Sequence, residues 1–154
     1  MPLPDLIPKG AIIPSLRVTS KRQLLQELAA KAAELTGRDA QEIFDTLSER
    51  ERLGSTGAGN GIAIPHGKLP KLDRLVGIFA KLDRAVDFDA IDGQPVDLVF
   101  TLLAPEGAGA DHLKALSRIA RLTRDPGNVE KLRSARDEIT LRGLLGQPIT
   151  SNAA

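Results

Sequence analysis

The chain has 154 residues, of which 42% are hydrophobic and 27% are charged, and its formal net charge is +1. This length and balance are typical of one globular domain, and the small net charge gives no indication of binding to nucleic acid or anionic lipid. Because the chain has no cysteine, disulfides, thiol catalysis and cysteine-ligated zinc are excluded. No apolar run reaches the roughly 20 residues of a membrane helix. The N-terminus has no signal-peptide pattern, so we expect a cytoplasmic protein without membrane insertion.

The N-terminal third predicts one strand followed by two helices. Residues 1–10 are a Pro-rich lead-in, and residues 11–18 contain a short strand that Pro14 restricts to a sheet edge or a bulge. An S-x-x-Q capping box and a final glycine bound a helix over 20–37, and a second helix runs from 39 to about 54.

The C-terminal half predicts two long strands and then helices. Residues 75–82 and 96–104 are strands, and the second is apolar enough to be a central strand covered on both faces. The other predicted features are turns within 84–94, a loop at 105–110, a helix capped by Asp111, helices at 125–133 and 137–145, and a disordered tail at 147–154. The whole order predicts one α/β domain over 1–154, a three-layer sandwich in which a mixed β-sheet of about five strands is flanked by helices on both faces.

A glycine-rich loop lies between the second helix and the next short strand. Residues 54–61 read GSTGAGNG, and four glycines in eight residues disfavour both a helix and a regular strand. Such a loop can direct several backbone N–H groups, with neighbouring hydroxyls, at one anion. We therefore predict a phosphoryl-binding loop made of Ser55, Thr56, Gly57, Gly59, Asn60, Gly61 and, beyond the strand, Gly67.

His66 is the strongest candidate for chemistry. It follows the apolar strand 62–64 in a Pro-His-Gly turn, directly after the glycine-rich loop. Histidine can accept and release a group near neutral pH, and an anion-binding loop beside it is what phosphoryl transfer to imidazole requires. The other histidine, His112, follows Asp111, which we interpret only as a helix N-cap.

Two nucleotide-binding patterns are matched only superficially. Between Gly61 and Gly67 there are five residues instead of the four of a Walker A loop, and Leu69 replaces the Ser or Thr that would bind Mg²⁺. The G-x-G-x-x-G spacing also fails, because position 62 is isoleucine. A nucleotide site is therefore not expected.

The stretch from Arg50 to Leu69, RERLGSTGAGNGIAIPHGKL, resembles the active-site signature of IIA domains of the bacterial phosphotransferase system, in the mannitol, fructose and nitrogen-regulatory superfamily. The Asn60-Gly61 pair before IAIPHGKL resembles the nitrogen-regulatory branch more than the sugar-specific branch. The order of elements and the total length are also similar to those of a stand-alone nitrogen-regulatory IIA protein.

The resemblance implies a role for three side chains. His66 would accept the phosphoryl group on Nε2, and Arg50 would be the active-site arginine. Arg50 could otherwise be a solvated charge at a helix end, a description that suits Arg52 better. His112 would be the second, non-phosphorylated histidine, unless it is an exposed residue at a helix N-terminus. No metal and no cofactor are implied.

The resemblance also implies partners. The chain would accept phosphate from an HPr-like phosphocarrier of the nitrogen branch, and its phosphorylation state would control targets such as potassium transport systems or sensor kinases. Its role would then be mainly regulatory, although it remains a phosphotransferase component. The alternatives are a sugar-specific IIA component that passes phosphate to a IIB domain, a purely regulatory binding module, and an unrelated α/β domain with a coincidental loop.

Overall fold

The computed structural model describes residues 3–146, so the tail predicted to be disordered at 147–154 lies outside the described residues. The elements in chain order are α1 (Leu3–Leu6), β1 (Ile12–Leu16), α2 (Lys21–Thr36), α3 (Ala40–Arg52), β2 (Gly57–Gly59), β3 (Ile62–Ala63), β4 (His66–Leu69), β5 (Val76–Val86), β6 (Val96–Pro105), α4 (Gly109–Arg124), α5 (Pro126–Ser134) and α6 (Glu138–Leu145). Within 3–146, none of the helices has the length and apolar character that crossing a membrane requires.

The described residues form one mixed sheet. Its strand order is β1–β5–β6–β3–β2, and β4 pairs with β6 further along the same side as β3. β5 and β6 are antiparallel. β1 runs parallel to β5, and β3 and β4 both run parallel to β6. As predicted, β6 is the buried central strand, and β1, which contains Pro14, lies at an edge where a residue without an N–H is tolerated.

Helices cover both faces of this sheet. α2 packs on α3 and β5, α3 packs on β4, and a second layer contains α4 on β6 with α5 and α6 beside it. The core between the layers is aliphatic, with Phe79, Phe88 and Phe100 fully buried. The predicted three-layer α/β sandwich is confirmed, with six strands among the described residues instead of about five.

Most helix starts follow the capping residues predicted from the sequence. The Ser20 hydroxyl accepts the Gln23 N–H at 3.1 Å, and the Asp39 carboxylate caps α3 in the same way. The expectation that Asp111 caps α4 is wrong. The N-cap of α4 is Ala108, three residues before Asp111, so Asp111 lies in the first turn. Its charge there still interacts favourably with the helix dipole.

The glycine-rich segment is more regular than predicted. Residues 57–59 form β2, which pairs antiparallel with β3 through a two-residue turn at Asn60 and Gly61. The φ angles of these two residues are 58° and 80°, as a type I′ hairpin turn requires, and Asn-Gly is its preferred sequence. The expectation that these glycines exclude a strand is therefore wrong.

Two other boundaries differ from those predicted. His66 begins the strand β4 and does not lie in a turn. β5 continues beyond residue 82 to Val86, which pairs with Val96 after an irregularity in register.

Candidate functional site

His66 lies at an interruption in the strand beside β6. Ala63 of β3 is paired with Val99, and His66 of β4 is paired with Leu102, so the two short strands keep one register. Between them, the Ile64 N–H donates to the Thr56 carbonyl at 3.0 Å, which continues the antiparallel pairing of β2 with β3 by one residue. Since Pro65 has no N–H to pair, the interruption places the half-buried His66 side chain at the edge of the sheet.

Two contacts define the state of the His66 ring. Nδ1 lies 2.8 Å from the carbonyl oxygen of Ile64, and the Arg50 Nε lies 3.3 Å from Nε2. A guanidinium can only donate and a carbonyl can only accept. Nδ1 therefore carries the proton and Nε2 presents its lone pair, which is the nitrogen that a phosphoryl group would occupy.

Arg50 reaches the ring from the last turn of α3. Its Nη1 also donates to the Gly54 carbonyl at 2.8 Å, which holds the guanidinium beside the histidine. Arg52, two residues further on, forms an ion pair with Glu49, and its side chain is 75% exposed. Of the two arginines, the structure thus brings Arg50 to His66 and leaves Arg52 in solvent.

His112 approaches from the opposite helical layer. The two imidazole rings meet edge to face, with centroids 5.5 Å apart and planes inclined by 73°. His112 is only 7% exposed, so the exposed-surface interpretation is wrong. Its Nε2 is buried and has no hydrogen-bond partner among the residues that the structure describes, which leaves one polar atom available beside His66.

The environment of His112 favours its neutral form. Burial lowers the pKa of the His112 imidazole, and smaller contributions in the same direction come from Lys68 and from His66 whenever its ring is protonated. Desolvation penalises the charged form of a base, and neighbouring positive charge adds to the penalty.

The first part of the predicted phosphoryl-binding loop uses its donors within the protein. The Ser55 hydroxyl donates to the Phe88 carbonyl at 2.7 Å and accepts the Gly57 N–H at 3.0 Å. The N–H and the hydroxyl of Thr56 both donate to the Glu51 carboxylate. These donors do not converge on His66 in this structure, and a phosphoryl-binding role for Ser55, Thr56 and Gly57 stays a prediction.

The hairpin turn is also fixed by other partners. The Asn60 N–H donates to Asp92 at 3.0 Å, and the Asn60 carbonyl accepts from Arg133. A Cβ at Gly61 would collide with the Arg133 guanidinium, so glycine is required there by packing as well as by its positive φ. Gly59 lies beside the same Asp92 carboxylate. The turn is therefore held in place by Asp92 and Arg133, and the anion-binding role predicted for Gly59, Asn60 and Gly61 stays a prediction.

Gly67 brings α3 close to the site. A Cβ at this position would lie 2.6 Å from Cγ2 of Thr46, well inside van der Waals contact. The missing side chain lets α3 pack directly on β4, and Arg50 lies one helical turn beyond Thr46. Gly67 thus contributes to the site by letting α3 pack closely on β4. Its place in the phosphoryl-binding loop stays a prediction.

Sequence reasoning missed Glu51. The whole residue is 9% exposed, and its carboxylate forms an ion pair with Lys21 at 3.0 Å. Glu51 continues the row of Ile43 and Leu47 at intervals of four residues, the spacing of one helix face. That spacing was the available signal that an acidic residue here faces the interior.

Known proteins similar to this chain have the same fold, and their names are either nitrogen-regulatory or sugar-specific. Residues 5–147 match the family described as the phosphoenolpyruvate-dependent sugar phosphotransferase system, EIIA 2. A nitrogen regulatory protein of Bradyrhizobium diazoefficiens is 61% identical over 96% of this chain and 97% of its own length. The crystal structure of the nitrogen regulatory protein IIA-Ntr from Neisseria meningitidis superposes with a TM-score of 0.88 and 34% identity, over 92% of this chain and 97% of that one.

A structure of lower sequence identity has the same fold. IIA mannitol from Escherichia coli superposes with a TM-score of 0.74 at 18% identity, over 90% of this chain and 97% of that chain. The chain belongs to the EIIA type-2 family of the phosphotransferase system, and within it the chain is most similar in these comparisons to the nitrogen-regulatory IIA proteins.

Proposed function

We propose that this protein is a regulatory phosphocarrier that accepts a phosphoryl group on Nε2 of His66. The observation that carries the proposal is the pair of contacts on the ring: Nδ1–H is held by the Ile64 carbonyl, and Nε2 faces Arg50 at 3.3 Å. A neutral imidazole with one fixed proton and one lone pair beside a guanidinium is prepared to attack phosphorus.

The transfer is an in-line displacement between two imidazoles. The Nε2 lone pair of His66 forms a bond to phosphorus as the P–N bond of the donor breaks, and its electron pair stays on the donor ring. Arg50 gives up its contact with Nε2 and turns its donors to the phosphoryl oxygens, where charge accumulates. Both bonds are P–N bonds to imidazole, so the equilibrium lies near balance and the group can be passed in either direction.

The donor in this proposal is an HPr-like phosphocarrier. Two exposed leucines adjoin the site in sequence: Leu53, which follows α3, is 82% exposed, and Leu113, which follows His112, is 69% exposed. Large exposed apolar side chains beside a reactive group suit transient contact with a protein partner. The names of the similar proteins support a nitrogen-regulatory role. The proposal extends from the family resemblance to a nitrogen-branch donor, to regulated targets such as potassium transport systems or sensor kinases, and to a single IIA domain over 1–154 in the cytoplasm.

A sugar-specific IIA role is the second candidate. The fructose-specific EIIA component of Haloferax volcanii is 36% identical over 82% of this chain and 81% of its own length. Against it, the nitrogen regulatory protein of Bradyrhizobium diazoefficiens is 61% identical. We therefore place the regulatory role first, with phosphate passage to a IIB domain as the alternative.

The test is phosphoryl transfer in vitro. Purified phosphorylated HPr-like carriers from the nitrogen and sugar branches are mixed with this protein, and the modified residue is mapped under alkaline conditions that preserve phosphohistidine. We expect the nitrogen-branch carrier to react faster and His66→Ala to abolish labelling while circular dichroism stays native-like. Acid-labile phosphate retained on the His66→Ala protein would contradict the assignment.

A further inference from the structure

Glu51 is a buried acidic residue next to Arg50 that the proposed transfer does not use. Its side chain is 5% exposed, and it accepts the Thr56 N–H at 3.1 Å together with the Thr56 hydroxyl. Lys21 lies 3.0 Å from one carboxylate oxygen. Such partners offset the cost of removing a carboxylate from water. Glu51 is therefore a buried acceptor that these contacts hold in one position.

From Glu51 a continuous series of hydrogen bonds leads to the reactive ring. Nδ1–H of His66 donates to the Ile64 carbonyl at 2.8 Å, the Ile64 N–H donates to the Thr56 carbonyl at 3.0 Å, and the Thr56 N–H donates to Glu51. Every donor points toward the carboxylate. Successive bonds meet across the Cα atoms of Ile64 and Thr56 and share no peptide group, so the series acts by fixing the position of these backbone segments. The charged acceptor at Glu51 strengthens the bonds that hold Thr56.

We propose that Glu51, acting through Thr56 and Ile64, is the positioning residue for the phosphoryl-accepting histidine. This inference rests on the proposed function, and it assigns to Glu51 and Thr56 a role in which neither touches phosphate. The series orients the ring and retains the proton on Nδ1, which keeps the lone pair on Nε2. It replaces the anion-cradling role that the sequence predicted for the Thr56 hydroxyl.

The series also acts during transfer. When the Nε2–P bond forms and the donor P–N bond breaks, the His66 ring acquires positive charge, while its Nδ1 proton stays in place. The Ile64 carbonyl then accepts from a charged donor, and such hydrogen bonds are stronger than neutral ones. The stabilisation by the Ile64 carbonyl, which Thr56 and Glu51 hold in place, therefore grows as the reaction proceeds.

The test compares Glu51→Gln with Glu49→Gln. Glu49 is on the same helix and also pairs with a basic residue, but its side chain is 64% exposed. Three quantities are measured on each protein: the ¹⁵N chemical shifts of the His66 ring without phosphate, the single-turnover transfer rate at several donor concentrations, and the melting temperature. A merely structural role for Glu51 would change only the last.

For Glu51→Gln we expect ring shifts that move toward a mixture of the two tautomers. We also expect transfer slowed ~3- to 10-fold, the scale of one weakened hydrogen bond, with half-saturating donor concentration unchanged. Glu51→Asp should recover part of the rate, and Glu49→Gln should behave as wild type. Wild-type ring shifts and rate in folded Glu51→Gln would overturn the inference.

A second variant covers the case in which Glu51→Gln does not fold. Thr56→Val removes the hydroxyl contact with Glu51 but keeps the backbone donor, so a smaller change of His66 tautomer in the same direction is expected, and unchanged shifts would overturn the inference. The ring shifts need no phosphate. Failure of the wild-type protein to accept phosphate would therefore count against the proposed function alone.

Discussion

His66 contacts one basic side chain from each helical layer, and the two contacts differ. Arg50 from α3 is hydrogen-bonded to Nε2 and tethered to the Gly54 carbonyl. His112 from α4 meets the ring edge to face, and its buried Nε2 has no partner within residues 3–146. In the proposed transfer the first contact would be exchanged for a contact with phosphate, whereas the second offers an unpaired atom. We therefore expect Arg50 to provide charge and His112 to provide packing and one polar contact.

Substitution of Arg50 should have the larger effect on the rate of phosphoryl transfer. Arg50→Lys is expected to slow single-turnover transfer by about one to three orders of magnitude, the scale for one preorganised transition-state donor. Lysine keeps the positive charge but cannot contact two phosphoryl oxygens with a planar fork. The rate is measured by rapid quench against one phosphorylated donor carrier.

Arg52→Lys is the matched control for this measurement. Arg52 has the same side chain on the same helix but pairs with Glu49 in solvent, so its rate should equal that of wild type. If Arg50→Lys and Arg52→Lys transfer at the same rate, Arg50 has no part in the mechanism. The proposed difference between the Arg50 and His112 contacts of His66 would then be contradicted.

The His112 side should show a smaller effect on rate. His112→Ala is expected to slow transfer roughly 3- to 10-fold, as for the loss of one neutral hydrogen bond, and to leave His66 as the modified residue. Because His112 is buried, the alanine variant also opens a cavity. His112→Gln, which keeps a polar group of similar reach, separates the two causes. Wild-type rates for both variants between pH 6 and 8 would assign His112 to packing alone.

The smallest expected effect is on stability as a function of pH. The pKa of His112 is lowered in the folded protein, mainly by burial, while in the unfolded chain it returns to about 6.5. Above that pH both states are neutral and His112 contributes nothing. As the pH falls below it, the unfolded state binds a proton that the folded state refuses, so the free energy of unfolding decreases until the folded pKa is reached.

Urea denaturation of wild type and His112→Gln at pH 7.5 and at pH 5.5 checks this sign. Wild type should lose more stability than the variant on acidification, and the difference between the two isolates His112 from His66 and the carboxylates. An equal loss in both proteins would mean that His112 does not resist protonation in the fold.

Local rules explain where the sequence predictions succeeded. The Ser20 and Asp39 caps, the apolar central strand and the edge position of Pro14 depend on neighbouring residues and on simple periodicity. The hairpin was missed because the Asn60-Gly61 pair was weighed as a family signature and not as a turn. The start of α4 was misplaced because Ala108 carries no side-chain cap that could be recognised.

His66 as the candidate acceptor was determined by the sequence alone, because a histidine after a glycine-rich segment and a short strand is a local pattern. Only the tertiary structure decided which donors reach it. The pairing of β3 and β4 with β6 sets the ring beside Ile64, the close packing of α3 on Gly67 brings Arg50 to Nε2, and α4 buries His112 against the ring. The contacts of Arg50 and His112 with the ring join residues far apart in the chain, and their geometry depends on how helices pack on the sheet, which no local spacing specifies.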